Sequence, residues 1–160
     1  MNWNEDKSVR LSKVCVWIFA LLLVAACVAL PFVLPVWAWG RTGLLSVFSH
    51  RLTLRELRLC LLAVEYPTGL IAAVALWKLY RLLANIGAAQ VFVPQNVSIL
   101  RALSWCCIAA GLVLLAGAVF FWVPFILLSA AAAFVGLILR VVKNVFAEAV
   151  RIKAENDFTI

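Results

Sequence analysis

Charged residues are scarce in this chain. They make up 13% of its 160 residues, against about 25% in a soluble globular domain. Hydrophobic residues reach 67%, and the mean hydropathy is +1.11. This balance excludes an ordinary water-soluble domain and predicts an integral membrane protein of one domain.

The sequence also lacks the residues that build an active site. Its one histidine, His50, stands apart from any carboxylate or thiol cluster, and there is no Ser/His/Asp set and no glycine-rich phosphate loop. We therefore expect no catalytic residue, no cofactor, no metal site and no enzymatic activity. Five cysteines without a CxxC pair lie in or beside apolar runs and are interpreted as packing residues: Cys15, Cys27, Cys60, Cys106 and Cys107.

Acidic residues are half as numerous as basic ones, which leaves a formal net charge of +7. The basic residues cluster beside apolar runs. Lysine and arginine in that position set membrane orientation and attract anionic headgroups. We predict the lipid bilayer as a partner and no direct binding of nucleic acid.

The chain contains several long apolar runs. A run needs roughly 20 residues to cross a bilayer as a helix. The charge-free run 102–139 is too long for one crossing, and Phe121–Pro124 is the only breaker placed to fold it back. We predict an all-α, four-helix transmembrane bundle with spans at 14–36, 57–83, 101–122 and 124–142. The connecting parts are an N-terminus 1–13, an external loop 37–56, a cytoplasmic loop 84–100 and a cytoplasmic amphipathic extension of the last helix, 143–160.

Local signals predict where helices begin and end. Thr53 and Glu56 have the spacing of a capping box, in which each side chain bonds the other residue's backbone N–H. Gly87 suits a left-handed C-cap, and Asn96 suits the N-cap of the third helix. The first helix is expected to fray at Pro31 and Pro35, and Pro67 is expected to kink the second.

The distribution of basic residues predicts that both termini are cytoplasmic. The side that holds the termini has ten basic residues, whereas the other side has four, Arg41, Arg51, Arg55 and Arg58. Aromatic residues fit the same arrangement. The inner belt would be Trp17, Trp77, Tyr80 and Trp105, and the outer belt Trp37, Trp39 and Trp122.

Glu65 is the only acid inside a predicted span. A charge at that depth is costly, so an intramembrane acid is a candidate functional site, for example in a proton-coupled transporter. The plainer alternative is an interfacial carboxyl group that is paired with Arg58 or is neutral.

Two stretches have small residues four apart, Gly69 with Ala73 and Ala132 with Gly136. This spacing lets helix backbones approach closely. It is explained either by packing within the bundle or by a homo-oligomer.

The C-terminal arm 143–160 carries an apolar stripe opposite a charged face. One interpretation is an amphipathic extension against the membrane or the cytoplasmic loop. The other is a surface for a cytoplasmic partner, with docking residues Glu155, Asn156, Asp157, Phe158 and Ile160.

The end of the arm resembles a known family. The run Ile152-Lys153-x-Glu155-Asn156-Asp157-Phe158-Thr159-Ile160 is similar to the closing motif of bacterial "domain of unknown function 2975" membrane proteins. The resemblance continues in Leu79-Tyr80-x-Leu82-Leu83-x-x-Ile86 and in Phe92…Asn96-Val97…Leu100-Arg101…Trp105-Cys106. It implies four helices in the bacterial cytoplasmic membrane. Relatives are often encoded beside a small helix-turn-helix DNA-binding protein, and Glu65 is not part of the family pattern.

Two hypotheses follow. The first is a non-enzymatic regulatory or scaffold protein that binds a small cytoplasmic helix-turn-helix regulator through the 84–101 loop and the arm. The second is a small transporter or permease-like subunit that uses Glu65. A transporter needs a polar path, and the spans offer little for one beside Glu65, with Thr68 and Ser129 as the candidates, which favours the first hypothesis.

Overall fold

The chain folds into four long helices. The structure is a computed structural model that describes residues 3–39, 53–120 and 124–157. The helices are α1 (Trp3–Trp39), α2 (Leu54–Gly87), α3 (Pro94–Phe120) and α4 (Phe125–Asp157). Each contains a stretch long and apolar enough to cross a membrane, and the described ranges contain no strand. The all-α bundle of a multi-pass membrane protein is confirmed.

The helices pack in chain order, with the most extensive contact between α3 and α4 and smaller contacts of α1 with α2 and of α2 with α3. One apolar cluster joins Leu61 and Val64 of α2 to Ala118 of α3 and Phe125 of α4. A second, near the other end of the bundle, contains Leu82, Ile99, Leu100 and Leu103. Many other large apolar side chains point outward, as expected where lipid rather than protein covers them.

The hairpin predicted from the long charge-free run is confirmed. Helix α3 ends at Phe120 and α4 begins at Phe125. Small residues bring the two backbones together. A Cβ atom added to Gly136 would lie 3.2 Å from the carbonyl oxygen of Ser104, and one added to Gly111 would lie 3.2 Å from that of Ser129. The Ala132/Gly136 spacing therefore serves packing within the chain, and the homo-oligomer stays a prediction.

The first helix is longer than expected. It begins at Trp3 and continues through Pro31 and Pro35 to Trp39, so the prediction that it frays at the two prolines is wrong. Prolines are tolerated in membrane helices because neighbouring helices and local adjustments satisfy the freed backbone groups. Pro67 lies inside α2, as predicted. Because a helix can leave the bilayer without ending, these bounds do not set the borders of the predicted spans.

The start of α2 matches the prediction from sequence. The backbone N–H of Thr53 donates to Oε2 of Glu56 at 2.7 Å, and the N–H of Glu56 donates to Oγ1 of Thr53 at 3.3 Å. This reciprocal pair is the capping box, which satisfies two donors that the first helical turn leaves free.

The end of α2 differs from the prediction. Gly87 is the last helical residue and does not adopt a left-handed conformation; Ala89 does, with φ 59°. A Cβ at position 87 would lie 3.2 Å from Cγ1 of Val9 and 3.4 Å from Nζ of Lys13. The glycine therefore provides room for α1 to cross the end of α2, a requirement that local sequence does not reveal.

Asn96 does not cap α3, which begins two residues earlier, at Pro94. Its side chain is 0% exposed and fastens the loop between α2 and α3. Its Nδ2 donates to the carbonyls of Gln90 and Val91 at 2.7 and 2.8 Å, and its Oδ1 accepts from Nδ2 of Asn85 at 2.7 Å. A buried amide is stable there because its partners satisfy it. The N-cap prediction was wrong because a short polar side chain serves either role equally well.

Candidate functional site

The acid that the sequence singled out lies in a membrane-depth cavity. Glu65 and Thr68 are one turn apart on α2 and therefore share a face. Both carboxyl oxygens of Glu65 and the hydroxyl of Thr68 are shielded from the surface, and none has a hydrogen-bond partner in the described part of the chain. They line a cavity of about 220 Å³. The rest of its wall is apolar and comes from all four helices, including Leu23, Cys27, Leu30, Leu114, Phe125 and Leu128.

Glu65 does not pair with Arg58 in the described part of the chain, so that form of the plainer alternative is wrong, while a neutral carboxyl group stays a prediction. The guanidinium Cζ of Arg58 lies 4.9 Å from the ring centroid of Phe32 on α1, and Glu65 accepts no hydrogen bond from any described residue. Seven residues of helix span about 10 Å along the axis. The guanidinium side chain is turned toward the aromatic ring of α1 instead, where a cation–π contact is available.

An unpartnered carboxyl group among apolar walls can bind a proton or a cation. A carboxylate buried without a partner is costly, and either occupant removes that cost. The cavity offers no polar continuation beyond Thr68, since its other lining residues are apolar. Ser129, the remaining polar residue that the sequence proposed for a path, instead donates to the carbonyl oxygen of Gly111 at 2.8 Å. The arrangement fits a binding site better than a continuous polar path.

The part of the C-terminal arm nearest the bundle is covered by the protein itself. Val142 and Phe146 pack against the cluster of Leu82, Ile99, Leu100 and Leu103. The ring of Phe146 also meets Phe92 of the α2–α3 loop, with 5.9 Å between centroids. The chain's own loop and helix ends thus cover the stripe at Val142 and Phe146, whereas Val141 and Val145 are exposed.

The far part of the arm is exposed. Arg151 bridges Glu148 at 2.6 Å and Glu155 at 3.7 Å, one turn to either side. Glu155 and Asn156 are exposed, and Asp157 is the last residue of α4. Phe158 and Ile160 lie outside the described residues, so the proposed docking tail is placed only as far as its acidic end.

Several aromatic residues of the predicted inner belt lie beside basic groups. The rings of Trp17 and Tyr80 meet edge to face at 6.3 Å, and Lys78 and Arg81 lie 5.2 and 5.6 Å from the ring of Trp77. Such groupings are typical of a membrane–water boundary. The side chains proposed for the outer belt, those of Trp37, Trp39 and Trp122, are outside the described set.

The cysteines are free, and the part of the chain that the structure describes contains no group of three His, Cys, Asp or Glu residues placed to hold a metal.

A comparison of the whole sequence decides the family. The sequence model of the family described as "Protein of unknown function (DUF2975)" matches residues 9–160. This chain belongs to the DUF2975 family. The match covers the closing motif as well as the four helices, so the resemblance seen in the sequence is confirmed. Among curated proteins and among solved structures, nothing matches this DUF2975 chain.

Proposed function

We propose that this DUF2975 protein is a non-enzymatic regulatory or scaffold protein of the bacterial cytoplasmic membrane. Both termini face the cytoplasm, and the C-terminal arm binds a small, basic helix-turn-helix regulator. The observation that carries the proposal is the unbroken course of α4 from Phe125 to Asp157, 33 residues. At about 1.5 Å per residue this helix is about 50 Å long, roughly 20 Å more than the hydrocarbon core of a bilayer.

The exposed end of α4 offers the chemistry that such a partner needs. Phe146 already packs against the α2–α3 loop and the neighbouring helix ends, and this contact holds the first part of the arm against the bundle. Glu155 and Asn156 are exposed at the far end, and the helix finishes with Asp157. Acidic groups attract a basic protein, whereas anionic lipid repels them. A rigid, acidic helix end is therefore better suited to a basic protein than to the membrane surface.

Charge reversal at the tail tests this proposal. The double variant Glu155→Lys and Asp157→Lys should lose co-purification of the neighbouring helix-turn-helix protein from solubilised membranes, while the chain still inserts. The matched control, Glu5→Lys with Asp6→Lys, changes the net charge equally at the other terminus and should retain the partner. Retention by the tail variant at the wild-type level, or equal loss in the control, contradicts the proposal.

The second candidate is transport of a proton or cation, and the unpartnered Glu65 and Thr68 in the bundle cavity favour it. If it is right, Glu65→Gln should abolish ion flux into proteoliposomes, measured with an entrapped dye sensitive to pH for protons and with a dye specific for the cation when a cation is tested. The control is Glu148→Gln, because Glu148 is exposed on the arm and distant in sequence. Unchanged flux in Glu65→Gln, or no flux above that of empty liposomes in the wild type, refutes transport through this residue.

A further inference from the structure

A basic cavity lies between α3 and α4, at the end of the bundle where α3 begins and the arm leaves. Its volume is about 310 Å³, and it shares no lining residue with the cavity at Glu65. Its wall is formed by Arg101, Ser104, Trp105, Arg140, Lys143 and Asn144. Three of these six side chains are cationic and none is acidic.

Within the described ranges, Arg101, Arg140 and Lys143 form no ion pair. The guanidinium Cζ of Arg140 lies 5.0 Å from the centroid of the Trp105 ring, which orients that cation while leaving its N–H groups available. The hydroxyl of Ser104 is already occupied, since it donates to the carbonyl oxygen of Gly136 at 2.8 Å. An anionic ligand would therefore be held by the three cations and by Asn144.

The cavity is at the depth of lipid headgroups. The charge-free part of α3 begins after Arg101, and that of α4 ends before Arg140. Trp105, one turn further into the apolar stretch of α3, is 58% exposed, as suits a ring at the interface. Toward the membrane centre the same faces continue with the exposed Leu112 and Leu137, against which acyl chains can lie.

Other basic residues of the described structure lack this arrangement. Lys78 and Arg81 are both on α2 and both lie over one ring, that of Trp77. Neither lines any of the cavities at Glu65, at Trp17 and Tyr80, or at Arg101. They carry the same charge as two of the cavity residues, which makes them a matched control.

We infer that this cavity binds the phosphodiester headgroup of one anionic phospholipid. Arginine and lysine converging from two helices are the groups that hold phosphate, and a basic pocket between membrane helices is a known form of lipid headgroup site. Lipid, rather than a soluble phosphate, is the source because the cavity opens at the bilayer boundary beside apolar helix faces. The site is independent of both functions proposed above.

The test titrates the purified full-length protein in detergent with phosphatidylglycerol and counts bound lipids by native mass spectrometry. Each cation near a membrane surface contributes about a fivefold gain in affinity, so Arg101→Gln with Lys143→Gln should bind about 25-fold more weakly. The control, Lys78→Gln with Arg81→Gln, should bind within about twofold of the wild type, and phosphatidylcholine should bind the wild type more weakly than phosphatidylglycerol.

Three results overturn the inference: an unchanged affinity in the Arg101/Lys143 variant, an equal loss in the control, or equal binding of phosphatidylcholine. Displacement of the lipid by millimolar glycerol phosphate also overturns it, because the site would then recognise a soluble phosphate. If the double variant loses its helical circular dichroism, Arg101→Gln and Lys143→Gln are measured singly. Each should weaken binding about fivefold, and no change in both singles contradicts the site.

Discussion

Two pairs of polar side chains lie within the apolar bundle, and only one pair forms hydrogen bonds among the described residues. In the α3–α4 hairpin, Ser104 and Ser129 are 2% and 7% exposed, and each hydroxyl donates at 2.8 Å to a carbonyl of the facing helix. On α2, Glu65 and Thr68 have shielded oxygens with no partner among the described residues. Both pairs are in the part of the chain that crosses the membrane.

This difference separates two serines with a structural role from an acid that is a candidate for function. The serine hydroxyls reach the carbonyls of Gly136 and Gly111, two positions where the absence of a side chain lets the helices touch. Their polarity is used within the fold. Folding gains nothing from a buried acid that has no partner among the described residues. The serines are therefore structural, whereas Glu65 stays a candidate functional residue.

The largest effect should come from forcing the hairpin apart. In Gly136→Leu the new side chain meets the backbone of α3, because even a Cβ would be 3.2 Å from the carbonyl oxygen of Ser104. Overpacking of this kind costs about 3 kcal/mol. We expect circular dichroism of the protein in detergent micelles to show a lower melting temperature than that of the wild type. Ala131→Leu, at an exposed position of the same helix, is the comparison and should melt like the wild type; equal melting of both variants contradicts the close contact.

Removing the buried amide of the loop should have the next largest effect. Asn96→Ala leaves the carbonyls of Gln90 and Val91 and the amide of Asn85 without their partner. The loss should be about 2 kcal/mol of unfolding free energy, since each buried polar group left unsatisfied is costly. The exposed neighbour Gln95→Ala is the control. If hydrogen exchange across residues 85–96 is unchanged in Asn96→Ala, the amide does not hold the loop.

Replacing the unsatisfied acid should stabilise the protein, whereas the two substitutions above should destabilise it. Glu65→Leu removes two oxygens that have no partner in the described structure, so the unfolding free energy should rise by about 1 kcal/mol. The same change at the satisfied position, Ser129→Leu, should destabilise the hairpin. A less stable Glu65→Leu protein would show that the carboxyl group has a structural partner and would remove the contrast between the two pairs.

The smallest effect should come from deleting one hairpin hydroxyl. Ser129→Ala removes a single interhelical hydrogen bond, and such bonds in membranes average about 0.6 kcal/mol. Steric-trap measurements of unfolding in bicelles resolve a difference of this size. Combining Ser129→Ala with Ser104→Ala should add the two losses, because the two hydrogen bonds are about 10 Å apart along the hairpin. A loss above about 2 kcal/mol for one serine would mean that the hydroxyl does more than bridge the helices.

The sequence alone determined the class, the number of helices and the hairpin. The length of each apolar run shows how many times it can cross a bilayer of known thickness. The run 102–139 is too long for one crossing, so it must turn at Phe121–Pro124. The capping box at Thr53 was equally readable, because both partners are three residues apart. The sequence also showed Glu65 as the only acid inside a predicted span.

Only the tertiary structure decided what the polar and small residues do. Whether Gly87 turns the chain or admits α1, and whether Asn96 caps a helix or fastens a loop, depends on atoms brought close by packing. The same holds for Glu65, whose expected partner Arg58 turned to Phe32. It holds for Arg101 and Lys143, which lie far apart in sequence and line one cavity. Local spacing reports neighbours along a helix, whereas a site in a bundle is formed by side chains from several helices, and their register is set by packing.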